Sequence, residues 1–256
     1  MSGKSSTESP LKALLTALGV AMVCALLVSV AAVTLRPWYE ANLQAERVAR
    51  LASILNALTD VTGNVSNESI EARVVNLDTG EYDSAINAST YDARKAAGDP
   101  AHSSALPAKL DSAGLKRRAN HAVIYLVQDK QDKLAVMILP VRGVGYQSAL
   151  YGYLALAADA NEILALRFYE QGETPGLGSR ITDPAWESLW RGKQAYTGNG
   201  DVGIEVGGLG HGSSSTRVDG ISGATRTTQG VNALIRFWLG EHGFKPFLDR
   251  IRHAEI

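Results

Sequence analysis

The stretch Asp219-Gly220-Ile221-Ser222-Gly223-Ala224-Thr225 sets a carboxylate and two hydroxyls on a segment almost free of bulk. Just beyond it, Val231, Leu234, Ile235, Trp238 and Leu239 recur at the spacing of an amphipathic helix, and Gly240 and Gly243 supply its stop. Thr225 therefore falls at or just before a helix N-terminus, where free backbone N–H groups and the helix dipole favour negative charge. Gly223 and Ala224 keep the approach clear. A phosphate attached to Thr225, or resting on it, would be stabilised there. The plain alternative is that Ser222 or Thr225 only caps the helix, a role open to any serine or threonine before one.

A second stretch, Gly172-Glu173-Thr174-Pro175-Gly176-Leu177-Gly178, combines a fixed φ at Pro175 with two glycines that let backbone approach a flat group closely. Glu173 and Thr174 put hydrogen-bonding groups just before it. The alternative here is an ordinary structural turn, which Pro-Gly dipeptides usually mark.

The pattern Asp219-x-x-Ser222-Gly223-Ala224-Thr225 resembles the flavinylation motif of the FMN-binding domain of respiratory flavoproteins. In that family a flavin transferase moves FMN from FAD onto the hydroxyl of the final threonine as a phosphoester. The resemblance implies covalent FMN on Thr225, with Asp219, Ser222, Gly223 and Ala224 completing the motif. The 172–178 stretch resembles the family's second motif, which lines the isoalloxazine ring, and so implies contacts from Glu173, Thr174, Gly176, Leu177 and Gly178. The segment Arg142–Tyr153, the motif spacing and the chain length resemble the C subunits of sodium-translocating NADH:quinone reductases, adding Gly145 and Tyr146 to the implied flavin site. Gln147 stands where the family has an aromatic residue, with Tyr146 beside it as a substitute. The G subunits of Rnf-type electron-transport complexes share the flavin site but are shorter, and the polar excursion at 81–120 argues against them.

This resemblance implies an electron carrier whose flavin does the redox chemistry, with no catalytic side chain of its own. It further implies partners: the other subunits of a membrane respiratory complex, which oxidise NADH and move sodium, and the flavin transferase during maturation. A rival of another class is a non-catalytic membrane-anchored scaffold or sensory domain whose glycine-rich loops only touch partners.

Other chemistries find no support. Gly143-x-Gly145 lacks the third glycine of a dinucleotide fingerprint. His211, Asp219 and nearby serines have no nucleophile elbow. His102, His121, His242 and His253 are scattered without metal-ligand spacing, so no metal is expected. Cys24 is the only cysteine, which excludes an internal disulfide or an all-cysteine cluster built by this chain alone. A net charge of −1 offers nothing to a nucleic-acid backbone.

The elements that must position these residues form an α+β domain, an antiparallel sheet with helices packed on one side. Arg73–Leu77 reads as a strand stopped by Asp78-Thr79-Gly80, and residues 81–120 as an irregular excursion. Residues 122–127 and 134–139 flank a charged turn as a hairpin, and 153–158 and 163–169 continue the sheet. Asp183-Pro184 offers a cap and first position for a helix over Ala185–Trp190.

Ahead of this body, Ala13–Leu35 carries no charge and is bounded by Lys12 and Arg36. It exceeds the ~20 residues that span a hydrocarbon core, and the apolar region of ~7–15 residues that a cleaved signal uses. Despite the small-x-small site Ser29-Val30-Ala31, the expectation is a retained single transmembrane helix. Lys and Arg flank both ends, so the charge count leaves orientation open. The short tail and the resemblance imply a bacterial inner-membrane protein with its soluble domain in the periplasm. The expected organisation is a cytoplasmic tail at 1–12, the transmembrane helix at 13–35, a helical or irregular linker region with the first strands at 36–120, and the FMN-binding domain at 121–256. Pro37 is expected to open a second helix, with Ile54, Leu55 and Leu58 on its apolar face and Gly63 at its end.

Overall fold

The computed structural model describes residues 10–62, 70–129, 131–210 and 214–253. The chain divides into a first unit, Met1–Ala52, and a second, Ser53–Ile256.

A single helix, α1 (Pro10–Thr62), accounts for the described residues of the first unit, and its expected end at Gly63 lies outside the described residues. Its segment Leu11–Trp38 is long and apolar enough to cross a membrane. Leu14, Leu18, Met22 and Leu26 are all exposed, which suits lipid better than water. The Thr16 and Thr34 hydroxyls donate back to the carbonyls of Lys12 and Val30, and so need no water. Pro37 does not open a second helix but lies inside α1. Its fixed φ is itself helical, so the ring forfeits one backbone bond without forcing a break. The Ile54, Leu55 and Leu58 side chains lie outside the described residues.

The second unit is built on a six-stranded antiparallel sheet in the order β1-β4-β5-β6-β7-β8. Its strands are β1 (Ile70–Asn76), β4 (His121–Gln128), β5 (Leu134–Val144), β6 (Ala149–Ala157), β7 (Glu162–Glu170) and β8 (Lys193–Gln194). The expected hairpin is β4–β5, with Tyr125 opposite Ile138. Along β5, Met137, Leu139 and Val141 face one apolar core while Val136 and Ile138 face a second. Burial on both faces explains why this strand reads as a continuous apolar run. The residues of helices α4 (Thr225–Trp238) and α5 (Lys245–Arg252) enter only the first of these cores, so these two helices pack on one side of the sheet as expected.

The sheet takes in a strand that precedes residue 121, the expected start of the FMN-binding domain. β1 pairs with β4 along its whole length, Ile70 opposite Val127 through Asn76 opposite His121, so it belongs to the same sheet. The 81–120 excursion is also less irregular than expected. It holds a helix α2 (Ala93–Gly98), capped by the Asp92 carboxylate, and a small antiparallel pair, β2 (Ser103–Ala105) with β3 (Arg117–Ala119). Elements this short have no period to detect.

After β7 the chain makes a 3-10 turn over Gly178–Thr182, then α3 (Pro184–Glu187) and another 3-10 turn to Trp190. Pro184 takes the first helical position as expected. Asp183, however, makes no capping bond; its carboxylate accepts from Arg180 Nε instead. Two parallel bridges, β9 (Glu205–Val206) and β10 (Arg217–Val218), precede α4 (Thr225–Trp238) and α5 (Lys245–Arg252).

α4 fixes the site's geometry. Val231, Leu234 and Ile235 enter the same core as Met137, Leu139 and Val141. Gly230 weakens the helix intrinsically by about 1 kcal/mol relative to alanine, yet a Cβ there would lie 2.6 Å from the Val144 carbonyl. The helix can approach β5 this closely only with glycine at that point. At its far end Trp238 Nε1 donates to the Arg142 carbonyl at 2.7 Å, so the middle and the C-terminal end of the helix both meet one strand.

Candidate functional site

Thr225 is the first residue of α4, and the capping position belongs to Ala224, which has no side chain to offer the free N–H groups. The cap reading of Ser222 and Thr225 therefore fails. Gly223, at φ +81°, makes the turn into the helix in a conformation that glycine adopts without strain.

Four hydroxyls crowd this turn, and the fold sorts them. Thr228 is 5% exposed, and its Oγ1 accepts from Ile221 N–H at 3.1 Å, closing the motif loop onto the helix. Thr227 is 2% exposed, and its Oγ1 donates to Glu173 Oε2 at 2.5 Å. Ser222 and Thr225 are exposed. Asp219 braces the loop from behind: its carbonyl accepts from Trp186 Nε1, and its carboxylate from Gly210 N–H.

Thr225, Ser222 and Gly223 border a cleft of about 680 Å³ whose lining also includes Gly208, Leu209 and Gln229. That volume lies within the roughly 300–1,000 Å³ of small-molecule and cofactor sites. Leu209 and Gln229 escaped the sequence reading. Gln229 was within reach, since it lies one helical turn after Thr225 and must share its face. Leu209 was not, because only β9–β10 pairing brings its loop alongside the motif.

Leu177 is half-exposed and lies against Gly223, where a Cβ would sit 3.3 Å from Leu177 Cδ2. Tyr146 is also half-exposed, with the Arg226 guanidinium 5.1 Å from its ring centroid. Gln147 uses its backbone N–H on Glu173. Thr174 and Gly176 are exposed, and the Thr174 carbonyl closes the 174–179 turn by accepting from Leu177 and Ser179 N–H.

The remaining residues expected at the ring, Glu173, Gly145 and Gly178, meet one another. Glu173, expected at the polar edge of a bound ring, is 5% exposed. Its carboxylate accepts from the N–H groups of Tyr146, Gln147 and Ser148 and from the Thr227 hydroxyl. Burial alone would raise its pKa, but these donors outweigh burial and hold it below the ordinary glutamate value. Gly145 and Gly178 pack against this carboxylate rather than facing open space. A Cβ on Gly145 would lie 2.5 Å from Glu173 Oε1, and one on Gly178 2.6 Å from Thr227 Oγ1. Convergence of several donors on one anion leaves no room for side chains around it.

Residues 145–240 match a family model described as an FMN-binding domain. The C subunit of the Na(+)-translocating NADH-quinone reductase of Vibrio alginolyticus is 41% identical, over 98% of this chain and 99% of its own length. The chain belongs to that family of C subunits. The corresponding Pseudomonas aeruginosa protein is 40% identical over 97% of this chain and 98% of its own. Among solved structures, the crystal structure of Shewanella oneidensis NqrC superposes with a TM-score of 0.71 at 35% identity, covering 80% of this chain and 99% of that one. Within this member of the family the matched domain begins at Gly145 and ends at Gly240, and so encloses both loops and the whole of α4.

Proposed function

We propose that this chain is an electron-carrying flavoprotein subunit of a Na(+)-translocating NADH:quinone oxidoreductase, anchored by α1, with FMN esterified to Thr225. One observation carries the reading: among the threonines of the first turn of α4, Thr225 is exposed at the head of an uncapped helix, while Thr227 and Thr228 are buried and bonded. The residues fit the cofactor. Free N–H groups at the start of α4 suit a phosphoester, and the half-exposed Leu177 and Tyr146 with Leu209 supply apolar surface for a flat ring. Thr174 and Gln229 offer polar contacts. When bound, the flavin supplies the electron-transfer chemistry, and the chain's residues attach, orient and shield it.

No side chain need act as an acid or base in such a role. NADH oxidation and sodium movement belong in this reading to partner subunits of the membrane complex, consistent with a span that carries no charged group between Lys12 and Arg36. The attachment requires a flavin transferase working outside the cytoplasm. The reading therefore puts the tail at 1–12 in the cytoplasm and the sheet domain in the periplasm of a bacterial inner membrane.

Denatured full-length protein resolved on a gel should fluoresce under ultraviolet light, and mass spectrometry should find FMN on the peptide containing Thr225. Thr225→Val should abolish both signals. A colourless preparation would favour the scaffold reading, and fluorescence persisting in Thr225→Val would move the attachment elsewhere.

A further inference from the structure

Flavin-bearing helix and ring-side loops must keep one arrangement if an attached ring is to have one environment. An esterified ribityl chain is a flexible tether, so attachment at Thr225 does not by itself orient the ring. What joins the three segments is a single buried carboxylate. Glu173 lies in the 172–178 loop, and its Oε1 accepts from Gln147 N–H at 2.9 Å and Ser148 N–H at 3.1 Å. Its Oε2 accepts from Tyr146 N–H at 3.2 Å and from the Thr227 hydroxyl at 2.5 Å. A return bond, Gly172 N–H to Ser148 Oγ at 2.7 Å, closes the two loops on each other.

We propose that Glu173 is the positioning residue of this site, acting through the 145–148 loop and the first turn of α4 to hold Tyr146 and Leu177 in register with Thr225. The inference rests on the reading of Thr225 as the flavin-bearing residue. Tyr146 carries one of the bonded amides, and Leu177 lies four residues after the carboxylate. Each packs beside a close neighbour of Thr225, Tyr146 under Arg226 and Leu177 on Gly223. Gly145 and Gly178 leave the space the carboxylate occupies, so the arrangement involves both loops and the helix together. A hydrogen bond to an ionised acceptor is about twice as strong as a neutral one, and several on one anion give a joint that resists small displacements. Glu173 has a second, electrostatic consequence. A fixed negative charge near the ring disfavours addition of an electron, so removing it should raise the flavin's midpoint potential.

The test uses full-length protein matured with its flavin, comparing wild type with Glu173→Gln, Thr227→Val and Thr227→Ser. In-gel fluorescence after denaturation reports attachment. Visible-region circular dichroism of the folded protein reports whether the ring sits in one asymmetric environment. Glu173→Gln and Thr227→Val should lose most of that dichroism, Thr227→Ser should retain it, and the midpoint potential of Glu173→Gln should rise. Loss of attachment in a variant whose far-ultraviolet dichroism is unchanged also supports the proposal, because Thr225 is then no longer presented to the transferase. If Glu173→Gln does not fold, the Thr227→Val and Thr227→Ser pair still decides the matter. Wild-type dichroism and potential in variants that carry flavin overturn the positioning role while leaving the attachment standing. Absence of fluorescence from the wild type overturns the attachment itself, and the positioning role with it.

Discussion

Thr227 donates its hydroxyl to Glu173 Oε2 across 2.5 Å, joining the first turn of α4 to a loop 54 residues earlier in the chain. Both side chains are buried, and the bond lies two residues from the exposed Thr225 hydroxyl. It separates two neighbouring threonines into a structural one and a chemically available one. Thr227→Val should accordingly leave a protein that still accepts flavin on Thr225, at a cost of about 1–3 kcal/mol in unfolding free energy from unpaired buried acceptor capacity. Urea denaturation, read beside in-gel fluorescence, checks both halves.

The glycines around this bond should respond unequally to alanine. At Gly145 and Gly178 a new Cβ would meet Glu173 or Thr227 atoms at 2.5–2.6 Å, so each substitution should destabilise by about 1–3 kcal/mol through overpacking. At Gly176, with open space around it and φ +74°, the cost should be only the conformational penalty of about 1–2 kcal/mol. Gly176→Ala should also leave the visible spectrum closer to wild type than Gly178→Ala does. Thermal unfolding and absorbance spectra decide.

Stability should carry a Glu173 component in acid. Because the folded pKa is depressed, the stabilisation is fully present above the unfolded value of about 4.3 and is lost as pH falls through the lower folded value. Unfolding free energy measured from neutrality down into this acid range should fall more steeply in wild type than in Glu173→Gln. Parallel curves would show that other carboxylates govern acid unfolding.

Thr174, exposed on the same loop, is a polar group open to a ring bound in the proposed site. Thr174→Ala should keep covalent flavin and move its potential by tens of millivolts, since ~1.4 kcal/mol, one hydrogen bond's worth, corresponds to ~60 mV in a one-electron couple. Redox titration of the purified variant would register the shift, and an unchanged midpoint would remove Thr174 from the ring's surroundings.

The Leu11–Trp38 segment should behave as a membrane span. Val23→Lys near its centre should cost about 2.5–3.5 kcal/mol of insertion free energy, visible as a rise in the soluble fraction after cell lysis. A C-terminal alkaline phosphatase fusion should be active if the sheet domain is periplasmic, and a fusion that needs cytoplasmic folding should not be.

By itself the sequence determined whatever repeats at short range. The uncharged run, the β4–β5 hairpin and the start of α4 at Thr225 all follow from hydrophobic period and local chemistry acting over a few residues. So did the motif, because its residues are contiguous. Tertiary structure decided which hydroxyl stays free, for Ser222, Thr225, Thr227 and Thr228 are alike until Glu173 and the Ile221 amide select Thr227 and Thr228. It decided that Gly145 and Gly178 make room for a carboxylate, and that β1 joins the sheet by pairing with β4 across the whole 81–120 excursion. These outcomes depend on groups far apart in the chain and close in space. Such pairings arise when burial leaves a polar atom one place to find its partner, a constraint that local sequence does not carry.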